Sequence, residues 1–266
     1  MSNLVGKVAV VTGASYGVGK GVALALAEAG ATVYATGRTV AEESFAAEPP
    51  GGRIIPVRCD HADDEEVARA FRRVADDGGR LDVLVNNAWG GYEGMIENGV
   101  FTWSLPFWEQ PLWRWDKMFA AGVRAAYAAS QHAARAMVAQ GAGLVVNISF
   151  WSAQKHVGNT AYGVAKAATD KLTADAAHEL RPHGVAVVSL YPGLVRTEKV
   201  MEAAAFLDLS NSESPQFVGR AVAALASDPD VMSKSGRVVV AAELAKEYGF
   251  ADVDGKRPRP LTLDQV

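Results

Sequence analysis

Short β-branched runs alternate with longer helix-like stretches along the whole chain, and no other feature narrows the possible folds as much. The runs are residues 8–12, 32–36, 54–57, 81–85, 144–148, 185–190 and 238–241. They are nearly all apolar and lack the strict alternation of a half-wet sheet. That pattern predicts strands buried on both faces, as in a parallel sheet covered by helices. Ala-rich stretches at 19–29, 65–76, 116–139, 162–180 and 215–226 predict the helices between them. The class is α/β: a single doubly wound Rossmann-type domain over residues 1–266, with a mostly parallel sheet of about seven strands.

Punctuation supports these edges. Gly30 is a C-cap candidate after the first helix, and Asp63, Asp64, Glu65 and Glu66 place negative charge at a helix start. Pro49-Pro50-Gly51-Gly52 predicts a turn, Glu42, Glu43 and Glu48 a solvated loop, and 255–266 an extended tail.

A net charge of −4 argues against general nucleic-acid binding, which needs basic stripes. The single cysteine, Cys59, cannot form an internal disulfide and reads as a small buried hydrophobe. His61, His132, His156, His178 and His183 lack metal-ligand spacing, so no metal is expected. The charge-free stretch 136–154 contains Gln140, Gly141, Gly143 and Asn147, and predicts a helix end, a turn and a strand rather than a membrane span. Residues 1–6 lead straight into a strand, without the pattern of a signal peptide. The expectation is a soluble, cytoplasmic protein without nucleic-acid or membrane partners.

The first strand runs into Thr12-Gly13-Ala14-Ser15-Tyr16-Gly17-Val18-Gly19 and then a helix. Glycines there allow a tight turn, backbone approach to a pyrophosphate, and close helix–strand packing. At the end of the second strand, where an acid would bind ribose hydroxyls, the chain has Gly37-Arg38-Thr39. A guanidinium can pair a 2′-phosphate, which favours NADP(H) over NAD(H). A solvated surface arginine is the competing explanation.

Tyr162 and Lys166 are one helical turn apart on one face. A nearby ammonium favours a phenolate, so such a tyrosine is expected to exchange a proton with a carbonyl or alcohol oxygen near neutral pH. Alone, this spacing is common in helices of every kind.

Taken together, Thr12 to Gly19, Asp60, Asn86-Asn87-Ala88, Asn147-Ile148-Ser149, Tyr162 to Lys166 and Tyr191-Pro192-Gly193 with Thr197 resemble the short-chain dehydrogenase/reductases. Trp115-Asp116, His178-Glu179-Leu180-Arg181 and Asp252-Val253-Asp254-Gly255 are similar to one branch of that family. The resemblance implies that Gly13, Ser15, Tyr16, Gly17, Val18 and Gly19 cradle the cofactor phosphates. Asp60 would meet the adenine, and Asn87 and Ala88 would line the groove. Tyr162 would be the general acid/base, with Lys166 on the nicotinamide ribose. Pro192, Gly193, Val195 and Thr197 would shape the nicotinamide pocket. It also implies a homo-oligomer, dimer or tetramer, and the small-residue helix surface from Ala125 to Ala136 permits close packing, although those alanines could instead face the chain's own sheet.

Three positions depart from the family pattern. The serine expected 13 residues before the tyrosine is Ser149, while aligning from Asn147 puts Phe150 there; Ser149 is chosen as the catalytic serine, with Ser152 second. Gly122 stands where many members carry a helix asparagine, and Trp89 where a glycine is usual. Asp60 could instead cap a helix, and Asn86 and Asn87 could be turn residues.

The segment 89–115 holds five of the six tryptophans, at 89, 103, 108, 113 and 115, with Tyr92, Phe101 and Phe107. Core packing can absorb about half of such rings. The rest are expected to wall an apolar substrate, opposite a lid at 194–217 carrying Met201, Phe206 and Leu207. The activity expected is an NADP(H)-dependent oxidoreductase acting on a bulky carbonyl or secondary alcohol, with Ser149, Tyr162 and Lys166 as its catalytic residues. The rivals are a non-catalytic dinucleotide-binding protein, an NAD(H)-dependent alcohol dehydrogenase, and a nucleotide-sugar epimerase or dehydratase.

Overall fold

The computed structural model describes residues 2–45, 51–92, 95–97, 100–202 and 204–266. Glu48, Pro49 and Pro50, and the Phe206 side chain, lie outside the described residues.

The elements run β1 (Val8–Thr12), α1 (Gly17–Glu28), β2 (Thr32–Gly37), β3 (Arg53–Arg58), α2 (Asp64–Gly78), β4 (Val83–Asn86), and a small hairpin of β5 (Ile96–Glu97) and β6 (Val100–Phe101). They continue with α3 (Leu112–Met118), a π-helical segment (Phe119–Arg124), α4 (Ala125–Gln140), β7 (Gly143–Ile148), α5 (Thr160–Leu180), β8 (Val185–Tyr191), α6 (Glu198–Glu202), α7 (Pro215–Ser227), β9 (Val238–Val240) and α8 (Ala241–Tyr248). Seven strands form one sheet in the order β3-β2-β1-β4-β7-β8-β9, with every pairing parallel.

Burial on both faces explains the uniformly apolar strands. One face packs Val11, Val33 and Val85 against Val22 and Leu26 of α1 and Phe217 and Val222 of α7. The other packs Val10, Leu84 and Val145 against Val67 and Phe71 of α2 and Met137 of α4. Strand order reverses between β1 and β4, which opens a crevice beyond their carboxyl ends.

Local chemistry sets the ends. Asp63 caps α2 by accepting from the Glu65 and Glu66 N–H groups, and Asp64, Glu65 and Glu66 occupy its first turn. Gly30, at φ +103°, leaves α1 in a conformation other residues resist. Strand β4 begins at Val83 rather than 81, and just before it the Asp82 carboxylate accepts from the Val8 N–H at 2.9 Å.

The helix expected at 116–139 is divided by the π-helical segment around Gly122. Its Ala125, Ala126, Ala129 and Ala133 are buried, and Ala129 and Ala133 pack within the chain's own core. Helix α8 was not expected: the apolar run at 238–241 continues into it. The tail is not extended throughout, since Leu263–Gln265 forms a 3-10 turn capped by Thr262. Among the described residues, no helix is long and apolar enough to cross a membrane.

Candidate active site

The turn after β1 is tight because glycine lets neighbours in. A Cβ on Gly13, at φ +65°, would lie 2.8 Å from Ala88 Cα. A Cβ on Gly19 would collide with the Gly13 carbonyl and the Asn87 amide. Asn87 donates from Nδ2 to the Thr12 and Gly13 carbonyls at 3.1 and 3.0 Å. Thr12 Oγ1 accepts from the Asn87 and Ala88 N–H groups at 2.9 and 3.0 Å. Asn87 and Ala88 thus lock against the glycine turn, while Asn86 lies within β4 and donates to Asn147 Oδ1 at 2.8 Å.

Tyr16, at the N-cap of α1, makes no side-chain cap bond. The helix start is therefore open to an anion, and the Gly17 N–H donates to the Glu198 carboxylate at 3.0 Å. A side-chain anion rests where a helix N-terminus attracts phosphate. Ser15 and Val18 are half-buried in this turn, and Val18 packs on the core. These features fit a dinucleotide: a glycine turn, a helix start without a side-chain cap, and a carboxylate standing in for an anion at its Gly17 N–H. Arg38 is exposed at the carboxyl end of β2. Asp60 does not cap α2; its N–H donates to Glu66 at 2.8 Å, and Oδ1 accepts from the Ala62 N–H at 3.0 Å.

Helix α5 starts where Asn159 Oδ1 accepts from the Tyr162 N–H at 3.0 Å, which seats Tyr162 in the first turn. The Asn159 Nδ2 donates to the Trp103 carbonyl at 2.8 Å, tying the aromatic segment to the same point. Tyr162 is buried among Trp89, Tyr92, Trp103 and Phe150, with ring centroids 5.6, 6.0, 5.5 and 6.3 Å away. Lys166 Nζ lies 3.9 Å from the Trp89 ring centroid and donates to the Ile148 carbonyl at 3.1 Å.

One expectation is corrected. The phenol was expected to be acidified by Lys166. Burial instead pushes Tyr162 up to about 12, against the favourable effect of the Tyr92 and Ser152 hydroxyls. Burial also brings Lys166 down to about 7, partly opposed by Asp170. Ser149 Oγ donates to the Lys166 carbonyl at 3.4 Å and lies against the Tyr191 hydroxyl. Successive residues leaving a strand face opposite ways, and Phe150 is the one whose ring turns to Tyr162. Ser152 faces the phenol, and its buried Oγ has no partner of normal hydrogen-bond geometry among the described residues.

The segment after β8 carries Pro192, Gly193, Val195 and Thr197. Val195 and Glu213 form a parallel bridge, and the Gly193 N–H donates to Glu213 Oε2 at 3.0 Å. Burial raises this glutamate to about 7. Thr197 reaches the glycine turn: a Cβ on Gly17 would lie 3.3 Å from Thr197 Cγ2. Met201 and Leu207 in this segment are 47% and 39% exposed.

Sequence reasoning missed Glu198, whose partner is 181 residues away, and Arg114. Arg114 is fully buried; it donates to Thr102 Oγ1 at 2.8 Å, lies 3.5 Å from Glu97, and packs on the Trp113 ring at 5.2 Å. It anchors the aromatic segment, in which Trp103 turns inward while Phe107 and Trp108 are 64% and 73% exposed. The run of tryptophans was visible beforehand; a cation among them was the overlooked signal.

The chain matches the family described as short chain dehydrogenase over residues 7–207. It is 45% identical to mouse (Mus musculus) dehydrogenase/reductase SDR family member 1, over 94% of this chain and 84% of that protein. Among solved structures it is similar to a short-chain type dehydrogenase/reductase from Mycobacterium marinum, with TM-score 0.75 and 29% identity over 90% of this chain and 94% of that one. It is also similar to a 7α-hydroxysteroid dehydrogenase complexed with NADH and 7-oxo-glycochenodeoxycholic acid, with TM-score 0.75 and 25% identity over 90% and 93% of the two chains.

Proposed function

This chain belongs to the short-chain dehydrogenase family, NAD(P)-dependent dehydrogenases and reductases, and from that premise we propose an NADP(H)-dependent oxidoreductase that interconverts a carbonyl and a secondary alcohol on a bulky apolar small molecule. The observation that carries the proposal is a chain of contacts: the Gly13–Gly19 turn packs on Asn87 and Ala88, and the next residue, Trp89, meets both Tyr162 and Lys166 of α5.

The dinucleotide, when bound, supplies or accepts a hydride at its nicotinamide. Gly13, Ser15, Tyr16, Gly17, Val18 and Gly19 would hold its phosphates, with Asn87 and Ala88 along the groove and Asp60 near the adenine. Pro192, Gly193, Val195 and Thr197 would shape the nicotinamide end. Arg38, exposed at the end of β2, would pair a 2′-phosphate. Lys166 would donate to ribose hydroxyls. Tyr162 would give its proton to the carbonyl oxygen as that oxygen takes up charge, or recover one from the alcohol. A phenol held protonated at neutral pH suits the reducing direction. Ser152, rather than Ser149, would donate to the same oxygen and orient it.

The aromatic wall at 89–115, the lid at 194–217 and the steroid bound by one structural relative support a bulky apolar substrate. A cytoplasmic homo-oligomer goes with this reading, and the half-exposed Tyr127 on the outer face of α4 offers a packing surface. Tyr162→Phe tests the mechanism. The expected result is loss of ketone turnover with NADPH affinity retained. Full activity in that variant overturns the assignment; NADPH binding by wild type without turnover of any ketone or alcohol in a broad panel favours a binding protein.

A further inference from the structure

Resting on that reading of the site, we infer that Trp89 is a positioning residue: its indole face holds the Lys166 ammonium beside Tyr162, and Gly122 is the notch that seats the ring. Lys166 Nζ sits 3.9 Å from the Trp89 centroid, well inside the roughly 6 Å over which a ring face attracts a cation. The Tyr162 ring is farther from Nζ, at 5.6 Å. Trp89 meets Tyr162 edge to face, with planes 89° apart, so one indole contacts both members of the pair.

Glycine at 122 is what makes room. A Cβ there would fall 2.6 Å from Trp89 Cζ3 and 2.7 Å from Cε3, closer than carbon atoms pack. Gly122 also lies in the π-helical segment that divides the expected helix, a distortion that often accompanies functional positions. The seat and the ring therefore form one unit.

The ammonium needs such a partner because it is buried and poorly paired. From β7 it has the Ile148 carbonyl. From its own helix it has Tyr162 and Asp170, and the Asp170 carboxylate also accepts the Tyr191 hydroxyl of β8. From the loop after β4 it has the neutral Trp89 face. Burial drives an amine toward its neutral form, and a ring quadrupole resists that without adding a competing charge.

The test titrates Lys166 in the cofactor-free protein by side-chain NMR of lysine-labelled samples, with K166R assigning the signal. W89L is expected to lower the Lys166 midpoint by about one pH unit, while W89F holds it nearer wild type. G122A, which pushes the ring aside, is expected to lower it as well, and the W89L/G122A double variant to shift no further than W89L. An unchanged midpoint in W89L overturns the inference, and so does full additivity of the two substitutions. If W89L does not fold, G122A decides, an unchanged midpoint again counting against it. The titration needs no substrate, so failure to find oxidoreductase activity would refute the functional reading and leave this result legible.

Discussion

Replacing Glu198 with glutamine asks whether the segment after β8 competes with the dinucleotide for the start of α1. The Glu198 carboxylate accepts from the Gly17 N–H at 3.0 Å. A dinucleotide phosphate seeks the same N–H groups, so the carboxylate has to leave before a phosphate can settle. A hydrogen bond to a charged group contributes about 1.5–3 kcal/mol in sheltered settings. Glu198 is exposed, so screening cuts its share to about 1 kcal/mol. Glutamine keeps a weaker neutral bond and removes repulsion between carboxylate and phosphate. The net expectation is roughly fivefold tighter NADPH binding in E198Q. Calorimetric titration of wild type and variant at two ionic strengths measures it. The difference is expected to shrink at high salt, as for any partly exposed charge. Equal or weaker affinity in E198Q would refute the reasoning and make Glu198 a cofactor ligand or a bystander.

Other outcomes follow from the same geometry. S152A is expected to lower kcat for a ketone about 100-fold, as loss of an oxyanion donor does, whereas S149A changes kcat only a few-fold; steady-state kinetics with the two reversed would restore Ser149 to the catalytic role. R38S is expected to cost about tenfold or more in NADPH affinity and little in NADH affinity; equal losses would mean that Arg38 does not touch a 2′-phosphate. His61 is held at about 4 by burial, with Nε2 2.8 Å from Thr36 Oγ1. An unfolded histidine titrates near 6.5. The unfolded chain therefore binds more protons between those values, and stability falls as pH drops from about 6.5 to 4, by up to about 3 kcal/mol. Glu213, raised to about 7, tilts the same window the other way, so the comparison is wild type against H61Q in thermal melts; equal slopes would refute the assignment.

The fold was largely legible because a buried parallel sheet writes itself as apolar runs. Residues 8–12 became β1 without adjustment, and six further runs became strands of the same sheet. The ends that moved did so by one or two residues, since apolar runs mark burial rather than where strand pairing stops. In the site, spacing was enough to place the glycine turn between β1 and α1 and to put Tyr162 and Lys166 on one helix. It was not enough to choose between Ser149 and Ser152, because counting back from Tyr162 ignores which way a residue leaves its strand. Nor was it enough for the phenol. One helical turn of separation says nothing about how dry the site is, and dryness outweighs the neighbouring amine. Gly122 and Trp89 looked like two separate departures from the family pattern, and only their contact in space makes them one.

Asn159 has a consequence for any attempt to redesign what this chain accepts. One amide fastens the aromatic wall to the first turn that bears Tyr162. Reshaping the wall, by loop exchange or by trimming its rings, therefore tugs on Tyr162, the proposed proton donor. Substrate range and turnover in this scaffold are mechanically geared, and a graft that keeps this amide in register is the one that can alter the first without spoiling the second.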